Sequence, residues 1–312
     1  MLISKNILKG WQFIYFVLYL LILPLPSFAA VFNIPSGDEA ALRMALMTAE
    51  TNSENDIINL AAGTYDTATM TFMYSAGMGE NFDLTLDGAG AGVTILDGST
   101  SDQVLRIVTT GVMPNDSGVD IFIRDLTIRD GMGVFASDGN GGGFRFSATS
   151  ADLTVQNCVF TNNTTNGFGG GLFSSTAGDV NLTNSTFTNN SNSASDGGGA
   201  FISNSGLVNI TNSTFTDNSA TSDGGGVGVL NLVGNLTLTN NAFTDNTAVN
   251  GDGGGFAALF TGAVQLNNAT LTDNTFTNNS AGDDGGGAIV NAKLIVTATD
   301  NTFTDNTAGG DG

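Results

Sequence analysis

The 312-residue chain contains no histidine, one cysteine, four prolines, and eight lysines and arginines against 29 aspartates and glutamates. Without histidine, no imidazole is available as a general base or metal ligand near neutral pH. A single cysteine, Cys158, rules out an intramolecular disulfide in any compartment. It takes the position held by Ser185 and Ser213 in later copies of a repeat, which reads as a small filler. The formal charge of −21 repels phosphate backbones and anionic headgroups, so nucleic acid is not an expected partner. Beyond Arg145 the only basic residue is Lys293.

The amino terminus has a different composition. Lys5 and Lys9 precede an apolar run from Phe13 to Leu23, which Pro24 and Pro26 end, and Ser27-Phe28-Ala29 offers small residues at a cleavage site. The run is too short to span a bilayer, so residues 1–29 are expected to be a signal peptide and the protein to be secreted. Residues 30–80 are expected to form a cap and first coil, and residues 81–312 a single run of repeats.

Six copies of Phe-Thr-(Asn/Asp)-Asn begin at Phe160, Phe187, Phe215, Phe243, Phe276 and Phe303, spaced by 27, 28, 28, 33 and 27 residues. They alternate with glycine triplets beginning at Gly141, Gly169, Gly197, Gly224, Gly253 and Gly285. A fixed period of this size, rich in Gly and β-branched residues, predicts stacked coils of a β-solenoid. Apolar pairs two residues apart recur before each Phe, as in Val180/Leu182 and Val208/Ile210, and after each triplet, as in Ala200/Ile202 and Val227/Val229. Residues two apart share one face of a strand. The expected architecture is therefore all-β, a parallel β-helix with three short strands in each ~28-residue coil. Ser36-Gly37-Asp38-Glu39 reads as a capping box, followed by Ala41, Leu42, Ala45, Leu46 and Ala49 at helical spacing. That helix is expected to cover the open end, whose first strand would be Ile57 to Leu60. The sequence stops at Gly309-Gly310-Asp311-Gly312, where a seventh triplet is due, as if truncated at the carboxyl end.

Three columns stand out when the copies are aligned. Asn163, Asn190, Asn218, Asn246, Asn279 and Asn306 are expected to form a buried amide ladder beside the stacked Phe residues. Asp138, Asp196, Asp223, Asp252 and Asp284 precede the triplets, which reads as a solvated turn, with weak Ca²⁺ binding through Asp196, Asp223, Asp252 and Asp284 as the sharper alternative. Outward threonines flank the Phe, as in Thr186/Thr188, Thr214/Thr216, Thr275/Thr277 and Thr302/Thr304, with Val159 and Ala242 interrupting the array. Such pairs resemble the arrays of ice-binding solenoids, although Thr is favoured on any exposed strand.

Phe276-Thr277-Asn278-Asn279 with Gly286-Gly287-Ala288-Ile289, and Phe187 to Asn190 with Gly198-Gly199-Ala200-Phe201, resemble the repeat pair of chlamydial polymorphic outer membrane proteins. Leu172, Val227 and Phe256 depart from the Ala of that pattern. The stretch from Ala41-Leu42-Arg43 to Gly63-Thr64-Tyr65 resembles the cap and first coil of secreted right-handed parallel β-helices of the pectin lyase type. The first resemblance implies an adhesive autotransporter passenger displayed at the outer membrane or cell surface, held there by a carboxyl-terminal barrel absent from this chain. The second implies a right-handed helix and opens the alternative of a polysaccharide lyase or hydrolase. Polygalacturonase-like sites need a histidine. Lyase-like sites use Arg or Lys near Ca²⁺-binding acids, and the one basic cluster in the sequence is Arg124, Arg129 and Arg145 with Asp125 and Asp130. The expectation is a non-catalytic binding stalk for a host or matrix protein or glycan.

Overall fold

Val180–Thr183, Thr186–Thr188, Ser191–Asn192 and Ala200–Ser203 make one complete turn of the chain. Each strand pairs in parallel with its equivalent one repeat later, as in Val180↔Val208, Phe187↔Phe215, Ser191↔Ser219 and Ala200↔Val227. In this computed structural model, residues 29–311 are described, apart from 68–69, 100–102, 113–115, 135–138, 204–205, 231 and 260–267. The expected signal peptide, Ala29 excepted, and Asp138 lie outside the described residues.

The described strands stack into four parallel sheets of ten, nine, seven and eight strands. We call them, in chain order within a turn, sheet A, sheet B, the corner sheet and sheet C. The corner sheet corrects the expectation of three strands per coil. Its members are two residues long, such as Thr164–Thr165 and Ser219–Ala220. They are too short to show alternation, and they sit between the Asn column and the Gly triplet.

The core is a set of like-on-like columns. Val180, Leu182, Phe187, Ala200 and Ile202 are wholly buried. Phe160, Phe187, Phe215, Phe243, Phe276 and Phe303 stack with successive centroids 4.5 to 4.9 Å apart and rings within 10° of parallel. The spacing follows from the ~4.8 Å strand separation, and each ring pair adds about 0.5–1.5 kcal/mol beyond its area burial. Towards the amino end the same column continues as Ile128, Leu96 and Tyr65.

Two corners of each turn are built alike. The residue leaving sheet A (Asn184, Asn212, Asn240, Asp273) and the residue leaving sheet B (Asn189, Asp217, Asp245, Asn278) have φ between 50° and 55°. Asn and Asp tolerate this left-handed region better than other side chains, which explains the third position of the tetrapeptide. At the third corner the first Gly of each triplet takes φ between 63° and 72°. The other two are required by contact: a Cβ on Gly199 would lie 2.5 Å from the carbonyl oxygen of Gly226.

The capped end begins with β1 (Ala30–Ile34), followed by α1 (Glu39–Ala49), β2 (Asp56–Leu60), β3 (Gly63–Asp66) and β4 (Phe72–Ser75). β1 is the outermost strand of sheet A and pairs with β2, so β2 is the second strand and not the first. α1 buries Leu42, Ala45, Leu46 and Ala49, and packs mainly on β4, the first strand of sheet C. Its N-cap is Asp38, whose carboxylate accepts from the Ala41 N–H at 2.9 Å. The expected capping box from Ser36 does not form, because Glu39 instead accepts from the Asp66 N–H. Arg43 clamps the helix to the loop before β4, donating to the carbonyls of Thr67, Met70 and Thr71. Among the described residues no helix is long and apolar enough to cross a membrane.

Candidate binding faces and acidic column

Outward positions on sheets A and B form registered polar columns. On sheet B, Thr161, Thr188, Thr216, Thr244, Thr277 and Thr304 stack in one line. Beside it run Thr186, Thr214, Ala242, Thr275 and Thr302. Sheet A carries a second pair of columns: Thr154, Asn181, Asn209, Thr237, Thr270 and Thr297, and Gln156, Thr183, Thr211, Thr239, Thr272 and Thr299. The signal for these was present in Val-Asn-Leu-Thr, Val-Asn-Ile-Thr and Leu-Thr-Leu-Thr, whose inward half alone had been informative about the core. Asn209 Nδ2 donates to Asn181 Oδ1 at 2.9 Å, which fixes the orientation of those amides on the surface. Together the two faces offer hydroxyls and amides about 6.7 Å apart along the strand and about 4.8 Å apart between turns.

The corner that follows sheet B carries the Asn column. Asn190 Nδ2 donates to Asn218 Oδ1 and to the Phe160 carbonyl, and the Asn190 N–H also donates to Asn218 Oδ1. The same three bonds recur at Asn218, Asn246 and Asn279, and Asn163 starts the column with Ile128 in place of Phe. Asn306 ends it, donating to the Phe276 carbonyl. From Asn163 to Asn279 these side chains are at most 1 % exposed, so they are part of the frame and offer nothing to a ligand.

A second ladder, which sequence reasoning missed, runs along the A-to-B corner as Cys158, Ser185, Ser213, Asn241, Asn274 and Asn301. The backbone N–H of each donates to the side-chain oxygen of the next: Ser185 Oγ, Ser213 Oγ, Asn241 Oδ1, Asn274 Oδ1 and Asn301 Oδ1. Cys158 caps this column, buried, with its thiol pushed up to about 12 by desolvation.

The acidic column is bonded from turn to turn, which corrects the picture of freely solvated carboxylates. Asp196 Oδ1 accepts from the Asp223 N–H at 3.2 Å, Asp223 from Asp252 at 2.8 Å, Asp252 from Asp284 at 2.9 Å, and Asp284 from Asp311 at 2.6 Å. Burial first, opposed by that bond and assisted by the next carboxylate, raises the pKa of Asp196 and Asp223. Among the described residues, the carboxylates that converge within 4.8 Å of one another are those of Asp252, Asp283 and Asp284. Asp196 and Asp223 lie outside that group, and Asp283 is an addition to it.

The three arginines that cluster in sequence are apart in space. Arg124 is on sheet A, paired with Asp87 at 3.0 Å; Arg129 is on sheet B, paired with Asp97 at 2.7 Å and Asp130 at 3.3 Å; Arg145 is on sheet C. Asp125 and Asp130 occupy left-handed corner positions, with φ of 57° and 52°. The chain turns a corner between each arginine and the next, so the three do not share one face.

A family model described as a right-handed β-helix region matches residues 110–311. No curated protein and no solved structure matches the chain.

Proposed function

The chain belongs to the right-handed β-helix region family, and on that frame we propose that it is a non-catalytic binding or adhesive stalk displayed outside the cell. The observation that carries this reading is the pair of registered Thr and Asn faces, which run unbroken in direction over six turns of sheets A and B. Stacked faces of this kind suit a long, repetitive or flat partner such as a matrix protein or glycan. The charge of −21 favours a neutral or cationic one. The resemblance of the Phe-x-x-Asn and Gly-Gly-Ala motifs to chlamydial polymorphic outer membrane proteins supports surface display, with any outer-membrane attachment supplied by a carboxyl-terminal anchor. Separation of Arg124, Arg129 and Arg145 onto three faces weighs against the polysaccharide lyase alternative.

The test is binding of the purified chain to immobilised matrix proteins and glycans, compared with a Thr216→Lys, Thr244→Lys variant. Saturable binding that the variant loses, while its circular dichroism is unchanged, supports the proposal. Turnover of an acidic polysaccharide that disappears in Arg124→Ala or Arg129→Ala would overturn it. A second reading, ordered water or ice as the partner, rests on the Thr pairs of sheet B. It is distinguished by thermal hysteresis lost in the same variant.

A further inference from the structure

All the exposed methionines among the described residues lie at the capped end: Met44, Met47, Met70, Met73 and Met78, each at least 50 % exposed. The other exposed large apolar side chains are Val, Leu, Ile or Phe, four of them (Leu294, Ile295, Val296 and Phe303) in the last turn. Four of the five methionines form two Met-x-x-Met pairs, Met44/Met47 on α1 and Met70/Met73 leading into β4. Residues three apart are neighbours on a helix surface, with about 5–6 Å between their Cβ atoms.

Contacts at both ends of α1 bring the pairs onto one surface. Arg43, adjacent to Met44, donates to the Met70 carbonyl at 2.5 Å, and its guanidinium stacks 4.5 Å over the ring of Phe72, the neighbour of Met73. Two turns later Glu50 Oε1 accepts from the Ser75 N–H at 2.8 Å. Met47 lies midway between Arg43 and Glu50 on the helix, and Met73 lies between Phe72 and Ser75 on the strand. Met47 and Met73 thus occupy the stretch of helix and the stretch of strand that these two contacts join.

A thioether is a soft, polarizable donor that selects soft metal ions, whereas carboxylates and hydroxyls select hard ones. The chain has no histidine and its one thiol is buried, so exposed thioethers are the soft ligands that its described surface offers. We propose that Met44, Met47, Met70 and Met73 bind a soft monovalent metal ion of the Cu(I) and Ag(I) class. Glu50 places one carboxylate at this junction, opposite in charge to Arg43 and to Arg106, which lies in register beside Met73.

Silver nitrate is the probe, titrated in chloride-free buffer into the full chain carrying Cys158→Ser, with heat and methionine-methyl NMR shifts recorded. The expected result is saturable binding with one ion per chain. The methyl signals of Met47 and Met73 should move while that of Met132 stays fixed. A Met47→Leu, Met73→Leu variant, near in volume, should bind at least about tenfold more weakly. Absence of saturable binding, or shifts confined to methyl groups outside the capped end, overturns the site. Full binding retained by the double variant overturns it as well. Should that variant misfold, the methyl shifts of the parent chain decide alone.

Discussion

Asn190 and Asn218 are joined by two bonds to a single atom: both the side-chain amide and the backbone N–H of Asn190 donate to Oδ1 of Asn218, at 3.0 Å each. The spare amide proton goes to the Phe160 carbonyl at 2.9 Å. Every donor of the buried amide is thus satisfied by a neighbouring turn, which makes the column costly to interrupt.

Replacing Asn218 by Leu leaves the N–H and amide of Asn190 without their acceptor and frees the Phe187 carbonyl in a dry corner. A loss of about 3 kcal/mol or more is expected, since each unsatisfied buried group costs about 1–3 kcal/mol. Thr216→Ser on the outward face should stay within about 0.5 kcal/mol. Equal shifts in denaturant midpoint for the two variants would contradict the ladder.

Cys158→Ser should be almost neutral, because serine fills the next two positions of the same column. The native thiol should resist aqueous disulfide reagents at pH 8, being buried and held protonated by desolvation. Labelling as fast as that of the unfolded chain would contradict its burial.

Acid should stabilise the capped end. Asp56 is 2 % exposed and its pKa is raised to about 6, by burial first and then by Glu80 and Glu54 against the bond from Asn52. Glu80, also buried, is raised by desolvation. The folded state then holds a proton that the unfolded state releases nearer pH 4. The stabilising term is present in full below that value and is lost as pH rises through about 6. Melting temperature, corrected by comparison with Asp56→Asn, should fall between pH 4 and pH 6.5. A rise over that interval relative to the variant would refute the assignment.

Calcium should bind weakly, at the extracellular-type Kd of about 10⁻⁴ to 10⁻³ M, and centre on Asp252, Asp283 and Asp284. Asp283→Asn should weaken it more than Asp196→Asn, as measured by calorimetry. The reverse order would move the site back to the bonded column.

The Phe and Asn columns were legible because the same letter recurs in every copy at one phase, and the inward pairs because alternation of period two survives in four residues. Other features were hidden for definite reasons. The second ladder changes from Cys through Ser to Asn, and its Ser and Asn members share an acceptor role without sharing a letter. The corner strands are too short for periodicity, and the Asp-to-backbone bonds depend on the next turn's N–H, which no side chain encodes. Arg124, Arg129 and Arg145 look clustered in sequence because proximity along a coil says nothing about which face a residue occupies.

The two ladders also determine where the chain can change length. From sheet A to sheet B, and from sheet B to the corner sheet, each full turn uses two linking residues, such as Asn184-Ser185 and Asn189-Asn190. The link from sheet C back to sheet A is four residues after Ser175 or Ser203, five after Leu230 and eight after Leu259. That eight-residue link accounts for most of the excess of the 33-residue interval between Phe243 and Phe276 over the 28-residue interval before it, yet the strands on either side of it keep register with their neighbours. The C-to-A edge is thus a permissive seam along the whole rod. Foreign peptides spliced there in successive turns would emerge as an evenly pitched row of loops, while the same insertions at either laddered corner would break the stack.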